Sequence, residues 1–167
     1  MTDASLTWQA LVQKLGLQPH PEGGYYREVF RSQNTIHING QPRSAATSIY
    51  YLLGKGNYSA WHQLDADETW YFLAGQPLLL HVLTDDGALT TCQLGNVLSD
   101  EAAVSQYTVP AGRWFAAELA QDSTFALLAC NVAPAFEFSA FKLATASDLT
   151  AARKRQGSWV DRLLKKT

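Results

Sequence analysis

Residues 56–75 run Gly56-Asn57-Tyr58-Ser59-Ala60-Trp61-His62-Gln63-Leu64-Asp65-Ala66-Asp67-Glu68-Thr69-Trp70-Tyr71-Phe72-Leu73-Ala74-Gly75. A loop over Gly54 to Asn57 leads into a strand-like run from Ser59 to Leu64, an acidic break follows, and Thr69 to Leu73 forms a second run rich in aromatic residues. Side chains alternate along a strand, so His62 and Leu64 share one face, and Glu68, Trp70 and Phe72 share one face of the next strand. An interior lined this way is apolar with a few polar groups. That is the usual make-up of a small-molecule site, in which apolar walls bind and polar groups orient.

Short strand-like runs continue on both sides: Tyr25 to Arg31, Ser48 to Leu53, Leu78 to Thr84, Ala88 to Leu94, Gln106 to Val109, Arg113 to Glu118, Thr124 to Val132 and Glu137 to Leu143. Turn formers separate most of them, with Asn39-Gly40 as a two-residue hairpin turn, Asp85-Asp86-Gly87 as a second and Pro110-Ala111-Gly112 as a tight turn. Many short strands at this spacing predict an all-β sandwich or barrel. Helices frame it. Leu6, Trp8, Leu11, Val12 and Leu15 recur at helical spacing, with Ser5 as the expected N-cap and Gly16 at the C-terminal end. At the other end Ser147 is expected to cap Leu149 to Gln156, Gly157 to stop that helix, and Ser158 with Asp161 has capping-box-like spacing ahead of Leu163 and Leu164. No linker or internal repeat divides the chain, so the expectation is one domain over 1–167, with a β core at about 25–145 and a C-terminal helical segment at about 147–166.

The 167 residues are 47% hydrophobic and 17% charged with a net charge of −2, which excludes a disordered chain and suits one globular domain. The longest apolar run, Phe125 to Cys130, is far too short to span a membrane, and the first residues lack a basic n-region, so the expectation is a cytoplasmic protein without membrane contact. Cys92 and Cys130 have no metal-binding or disulfide-framework spacing and read as small buried residues. From Arg153 onward there are six basic residues and one acidic one. With one aromatic, Trp159, at the end of a helix, this tail reads as a solvated helical face rather than a nucleic-acid site.

The segment from Gly56 to Gly75 resembles the first motif of the cupin superfamily, in which a glycine is followed by His-x-His, a glutamate and a second glycine; here Leu64 stands where the second His would be. Pro110-Ala111-Gly112-Arg113-Trp114-Phe115 resembles the core of the second motif, with Phe115 at the position of the third His. Together with Pro21 to Glu28 and Val132 to Phe138, these residues resemble a narrower, uncharacterised branch, cupin type 5, from about Trp8 to Lys165. The resemblance implies a double-stranded β-helix, the cupin jelly roll, with an N-terminal helix, a C-terminal helical segment and homodimerisation. It implies no particular reaction.

Many cupins hold a divalent ion with three His and one Glu, but only His62 and Glu68 of that set remain, so they form at most a weak metal site and no cofactor is expected. Metal-free acid–base chemistry is the leading alternative, because a buried His beside a carboxylate can be tuned toward neutral pH. His62 would be the acid or base, with Glu68 or a tyrosine to orient it; Tyr25, Tyr50 and Tyr71 have hydroxyls, and Tyr50 joins His62 and Glu68 in the expected catalytic set. Some metal-free cupins are epimerases, and by that analogy the leading function is an isomerase or epimerase acting on a carbohydrate-like or small polar substrate. The rivals are a non-catalytic ligand-binding module and a weak-metal enzyme. Expected ligand-binding residues are Glu22, Tyr25, Arg27, Trp70, Phe72 and Phe115, with Arg27 able to hold a carboxylate or phosphate and Arg113 assigned to the surface. His20, His37 and His81 read as structural, and Trp61, Trp70 and Trp114 as core first and stacking surfaces second.

Overall fold

The computed structural model describes residues 7–166. Helix α1 (Trp8–Leu15) opens the chain, capped by Thr7, whose side chain accepts from Ala10 N, and closed by Gly16 in the left-handed region at φ 62°. The expected cap Ser5 lies outside the described residues. The strands follow: β1 (Gln18–Pro19), β2 (Tyr25–Arg31), β3 (Thr35–Ile38), β4 (Gln41–Ser44), β5 (Thr47–Gly54), β6 (Tyr58–Gln63), β7 (Asp67–Gly75), β8 (Leu78–Leu83), β9 (Leu89–Leu94), β10 (Gln106–Val109), β11 (Trp114–Leu119), β12 (Phe125–Ala133) and β13 (Lys142–Leu143). Helix α2 (Thr150–Gln156) and a 3-10 segment over Ser158–Leu163 end the chain.

One sheet has the order β1-β2-β5-β12-β7-β10, a second has β13-β6-β11-β8-β9, and β3-β4 stands apart as a hairpin. Its turn is the expected Asn39-Gly40, with φ 49° and 79°, the backbone that a two-residue hairpin with this twist needs. The two sheets face each other across a core of Tyr51, Leu53, Trp70, Leu80, Phe115 and Leu128, among others. This is the jelly roll. The outer face of the five-stranded sheet is covered by the C-terminal segment: Trp61, Leu83 and Ala116 pack with Leu149, Val160 and Leu163, and the Trp61 indole N–H donates to Val160 O at 2.7 Å.

Three expectations at the edges are corrected. Glu137 to Leu143 is not one strand; a 3-10 turn over Phe138–Ala140 interrupts it and only Lys142–Leu143 pairs, with β6. Ser147 does not cap α2, whose N-cap is Leu149 without a side-chain bond, while Asp148 instead accepts from Thr145 N at 2.8 Å. Ser158 and Asp161 form no capping box, because Asp161 pairs with Arg153 at 2.7 Å.

Candidate active site

A cavity of about 170 Å³ opens between the two sheets, bounded by β2, β5, β7 and β12 on one side and by β6 and the loop before β2 on the other. That loop is His20-Pro21-Glu22-Gly23-Gly24. It closes on itself through His20 N to Gly24 O and Gly23 N to His20 O, both 3.0 Å. Gly23 has φ 115°, and a β-carbon there would fall 2.0 Å from Tyr58 O, so only glycine lets the loop press against β6. The contact is fixed by Ala60 N donating to Glu22 O at 2.8 Å, and it carries the Glu22 side chain into the cavity.

Two β-bulges aim the other side chains. In β6, the two residues between Ser59 and His62 oppose the single residue between Phe115 and Ala117, which turns Ser59 and His62 onto the same face, both against Glu22. In β2 the register shifts between Glu28 and Phe30, so Tyr26, Glu28 and Arg31 all line the cavity while Arg27 does not.

The polar centre is a chain of close contacts. Ser59 Oγ donates to Glu22 Oε1 at 2.9 Å, and Glu22 Oε2 lies 3.1 Å from His62 Nε2 and 3.5 Å from His20 Nδ1. His62 Nδ1 lies 2.7 Å from Ala60 O, an acceptor only, so Nδ1 carries a proton and Nε2 presents its lone pair to Glu22. His20 Nδ1 in turn accepts from Glu22 N at 3.2 Å. Burial pushes the Glu22 carboxyl up and lowers His62 to about 4 against the lift of its bond to Ala60, and the 3.1 Å contact between Glu22 Oε2 and the His62 Nε2 lone pair is satisfied by one proton held between them. Burial likewise lowers His20, against the pull of Glu22. The Tyr51 hydroxyl donates to Gly23 O at 2.7 Å at the edge of this group.

On the facing sheet, Glu68 is pushed up to about 8, by burial first and by Glu22 second, against a smaller downward pull from the nearby Trp70 indole N–H. Its Oε2 and the neighbouring Trp70 Nε1 are buried without a hydrogen-bond partner, and both residues line the cavity. Buried polar atoms are rarely left this way, and a ligand is one way to satisfy them.

Of the residues singled out in the sequence, His62, Glu68, Glu22 and Trp70 come together here. Five do not line the cavity. Tyr50 and Arg27 are register partners on the opposite face, with the guanidinium 6.0 Å from the Tyr50 ring centre; Tyr25 packs on Trp8 at 5.7 Å. Phe72 sits farther along β7, where it borders a shallow surface depression with Leu98. Phe115 packs beneath the His62 ring, centroids 4.0 Å apart, as core. In the Tyr25-Tyr26 and Tyr50-Tyr51 pairs it is the second member that faces inward; the apolar set Ile49, Tyr51 and Leu53 is the signal for the latter. His20 and Arg31 were missed, since a loop fold and a bulge set their directions, and Glu28 was missed with Tyr26, the inward member of its alternation. Tyr71, Arg113, His37 and His81 also lie outside the cavity lining.

The donor set does not fit the metal site of the fold. Leu64 and Phe115 have no coordinating atom, the lone pair of His62 is directed at Glu22, and among the described residues no three His, Cys, Asp or Glu side chains are grouped to hold a metal ion.

The chain matches the family model described as Cupin superfamily (DUF985) over residues 9–144. It belongs to that family. Among solved structures this cupin is similar to a hypothetical protein from Leishmania major, at 31% identity and TM-score 0.87, covering 96% of this chain and 99% of that one. It is also similar to a protein from Shewanella oneidensis, at 36% identity and TM-score 0.84 over the whole of both chains. Oxalate decarboxylase from Bacillus subtilis shares only the fold, at 14% identity and TM-score 0.54, with 89% of this cupin covering 37% of that chain. No curated protein matches the cupin.

Proposed function

We propose that the cavity carries metal-independent acid–base chemistry of the isomerase or epimerase type on a small polar molecule. The observation that supports this most is the placement of two proton-holding groups on opposite walls: the Glu22–His62 pair against β6 of one sheet, and Glu68 on β7 of the other. Inverting a carbon beside a carbonyl needs a base on one face and an acid on the other. Glu68, poised at about 8, takes the proton in its ionised form, the electron pair moves onto the carbonyl oxygen, and the Glu22–His62 proton is delivered from the other side. Trp70 Nε1, a donor without a partner, is available to the carbonyl oxygen.

The volume sets the substrate size. An apolar cavity of about 150 Å³ holds one benzene. At about 170 Å³, this cavity encloses a compound of a few carbons and not a nucleotide sugar.

The test is solvent exchange: three- to six-carbon hydroxy aldehydes and ketones incubated with the protein in D2O and followed by proton NMR. The expected result is deuterium entering the carbon beside the carbonyl, at a rate that falls about 10²-fold or more in Glu68→Gln and His62→Gln. Ligand binding to the cavity with no exchange in any compound would assign the protein to the non-catalytic binding modules instead.

A further inference from the structure

The inference here deepens the preceding reading, because it takes the same cavity as the ligand site and asks what charge the ligand bears. Four carboxyl groups line the cavity: Glu22, Glu28, Glu68 and Glu137. Against them stands one Arg or Lys, and it is already occupied. Arg31 Nε and Nη2 donate to the two Glu28 oxygens at 3.0 Å each, Nη2 also donates to Phe136 O at 2.9 Å, and Nη1 reaches Glu137 Oε1 at 3.3 Å. Among the described residues that line the cavity, a carboxylate or phosphate would find no free cation to receive it.

The apolar lining points the same way. Tyr26, Tyr51, Trp70, Phe136 and Phe138 supply five aromatic rings, whose faces attract cations. Two further atoms define the rest of the ligand. Glu68 Oε2 lacks a donor and Trp70 Nε1 lacks an acceptor, each buried among residues that line the cavity. A molecule with an N–H donor and a hydroxyl satisfies both.

We propose that the cavity selects a small hydroxylated ammonium compound, its ammonium group placed against Glu68 and the aromatic rings and its hydroxyl oxygen accepting from Trp70 Nε1. The cavity excludes small anions of the same size. An arginine-held carboxylate or phosphate, expected from Arg27 in the sequence, is replaced by this assignment, since Arg27 lies on the opposite face of β2.

Three probes with one carbon skeleton separate charge from shape: 2-amino-2-methylpropan-1-ol, its uncharged counterpart 2,2-dimethylpropan-1-ol, and the anion 3-hydroxy-2,2-dimethylpropanoate. Titration calorimetry at pH 9, above the Glu68 value of about 8 so that its carboxylate is ionised, is expected to show the ammonium compound binding at least about tenfold more tightly than the alcohol, and the anion most weakly. In Glu68→Gln, which keeps the shape, the preference for the ammonium over the alcohol is expected to fall below about threefold while the alcohol keeps its affinity. Trp70→Phe is expected to weaken the ammonium compound and the alcohol alike. Equal or tighter binding of the anion, a preference that survives Glu68→Gln, or binding by none of the three overturns the proposal. Exchange in D2O without an ammonium preference would overturn this inference alone, whereas an ammonium preference without exchange would overturn only the catalytic reading.

Discussion

Glu68 is a buried carboxyl with one partnerless oxygen, so its proton belongs to the folded state more than to the unfolded chain. Its folded pKa of about 8 lies above the ordinary 4.5. Between those values the native protein binds the extra proton, and stability therefore falls as pH rises from about 4.5 to about 8 and levels off above. Glu68→Gln removes this slope. Urea unfolding at pH 5 and pH 8 is expected to show the variant gaining stability relative to the wild type at the higher pH; an identical difference at both would show that Glu68 is solvated. His62 has the opposite sign, since its lowered pKa makes stability rise from about 4 toward 6.5. Gly23 shows a different constraint, steric rather than electrostatic. Gly23→Ala is expected to cost about 2–3 kcal/mol, measured by the same unfolding, and to detach Glu22 from His62, because φ 115° and the approach to Tyr58 O leave no room for a methyl group.

The strands themselves were readable from composition and alternation: Gln106–Val109 coincides with its expected bounds, and β5 to β9, β11 and β12 lie within a few residues of theirs. The bulges were not. A bulge in β6 or β2 adds one residue without any distinctive side chain and reverses the facing of the residues beyond it; that is why Arg31, past the bulge, reaches the cavity, while Arg27, before it, faces away by plain alternation with Tyr26 and Glu28. His62 and Glu68 could be found because their motif carries its own spacing, while His20 could not, because a loop has no period. The same limit applies on the outer face of the five-stranded sheet, where no motif announced the chain Thr91–His81–Glu118–Arg162. His81 Nδ1 lies 2.9 Å from Thr91 Oγ1 and its Nε2 lies 3.0 Å from Glu118 Oε1, while Arg162 of the C-terminal 3-10 segment pairs with the same carboxylate. Burial alone would raise Glu118, but the bonds from His81 and Arg162 outweigh it and hold the group at about 2. The unfolded chain takes up the proton first on acidification, so this contribution is complete above about 4.5 and is lost as pH falls toward 2. Glu118→Gln is expected to lower stability by about 1–2 kcal/mol at pH 7 and to flatten the acid limb of an unfolding series. An unchanged acid limb would mean that the pair with Arg162 is too solvated to matter.

The C-terminal segment decides whether the chain is a barrel with an appendage or one cooperative unit. Three of its six cations are tied into the protein: Arg153 pairs with Asp161, Arg155 with Asp86, and Arg162 with Glu118. Its apolar residues Leu149, Val160 and Leu163 are almost wholly buried, and with Ala152 they cover Trp61, Leu83 and Ala116. Tyr58 donates to Leu164 O at 2.8 Å, so the segment also braces the strand that carries His62. Removing one buried leucine from such a core costs about 2–5 kcal/mol, and a domain of this size has about 5–15 kcal/mol in all. Losing three large side chains at once, with the Trp61 indole N–H left without its acceptor, exceeds what the remaining barrel can supply. A chain ended at residue 146 is therefore expected to be unfolded or aggregated, whereas Leu163→Ala alone folds with a reduced Tm. Circular dichroism and proton NMR distinguish the outcomes: dispersed methyl resonances in the truncated chain, with a Tm near that of the full protein, would show that the jelly roll stands alone and that the segment merely rests on it. If instead the truncated chain fails to fold, the site between the sheets depends on packing contributed from outside them, because the same strand, β6, presents Trp61 to the C-terminal segment and His62 to the cavity.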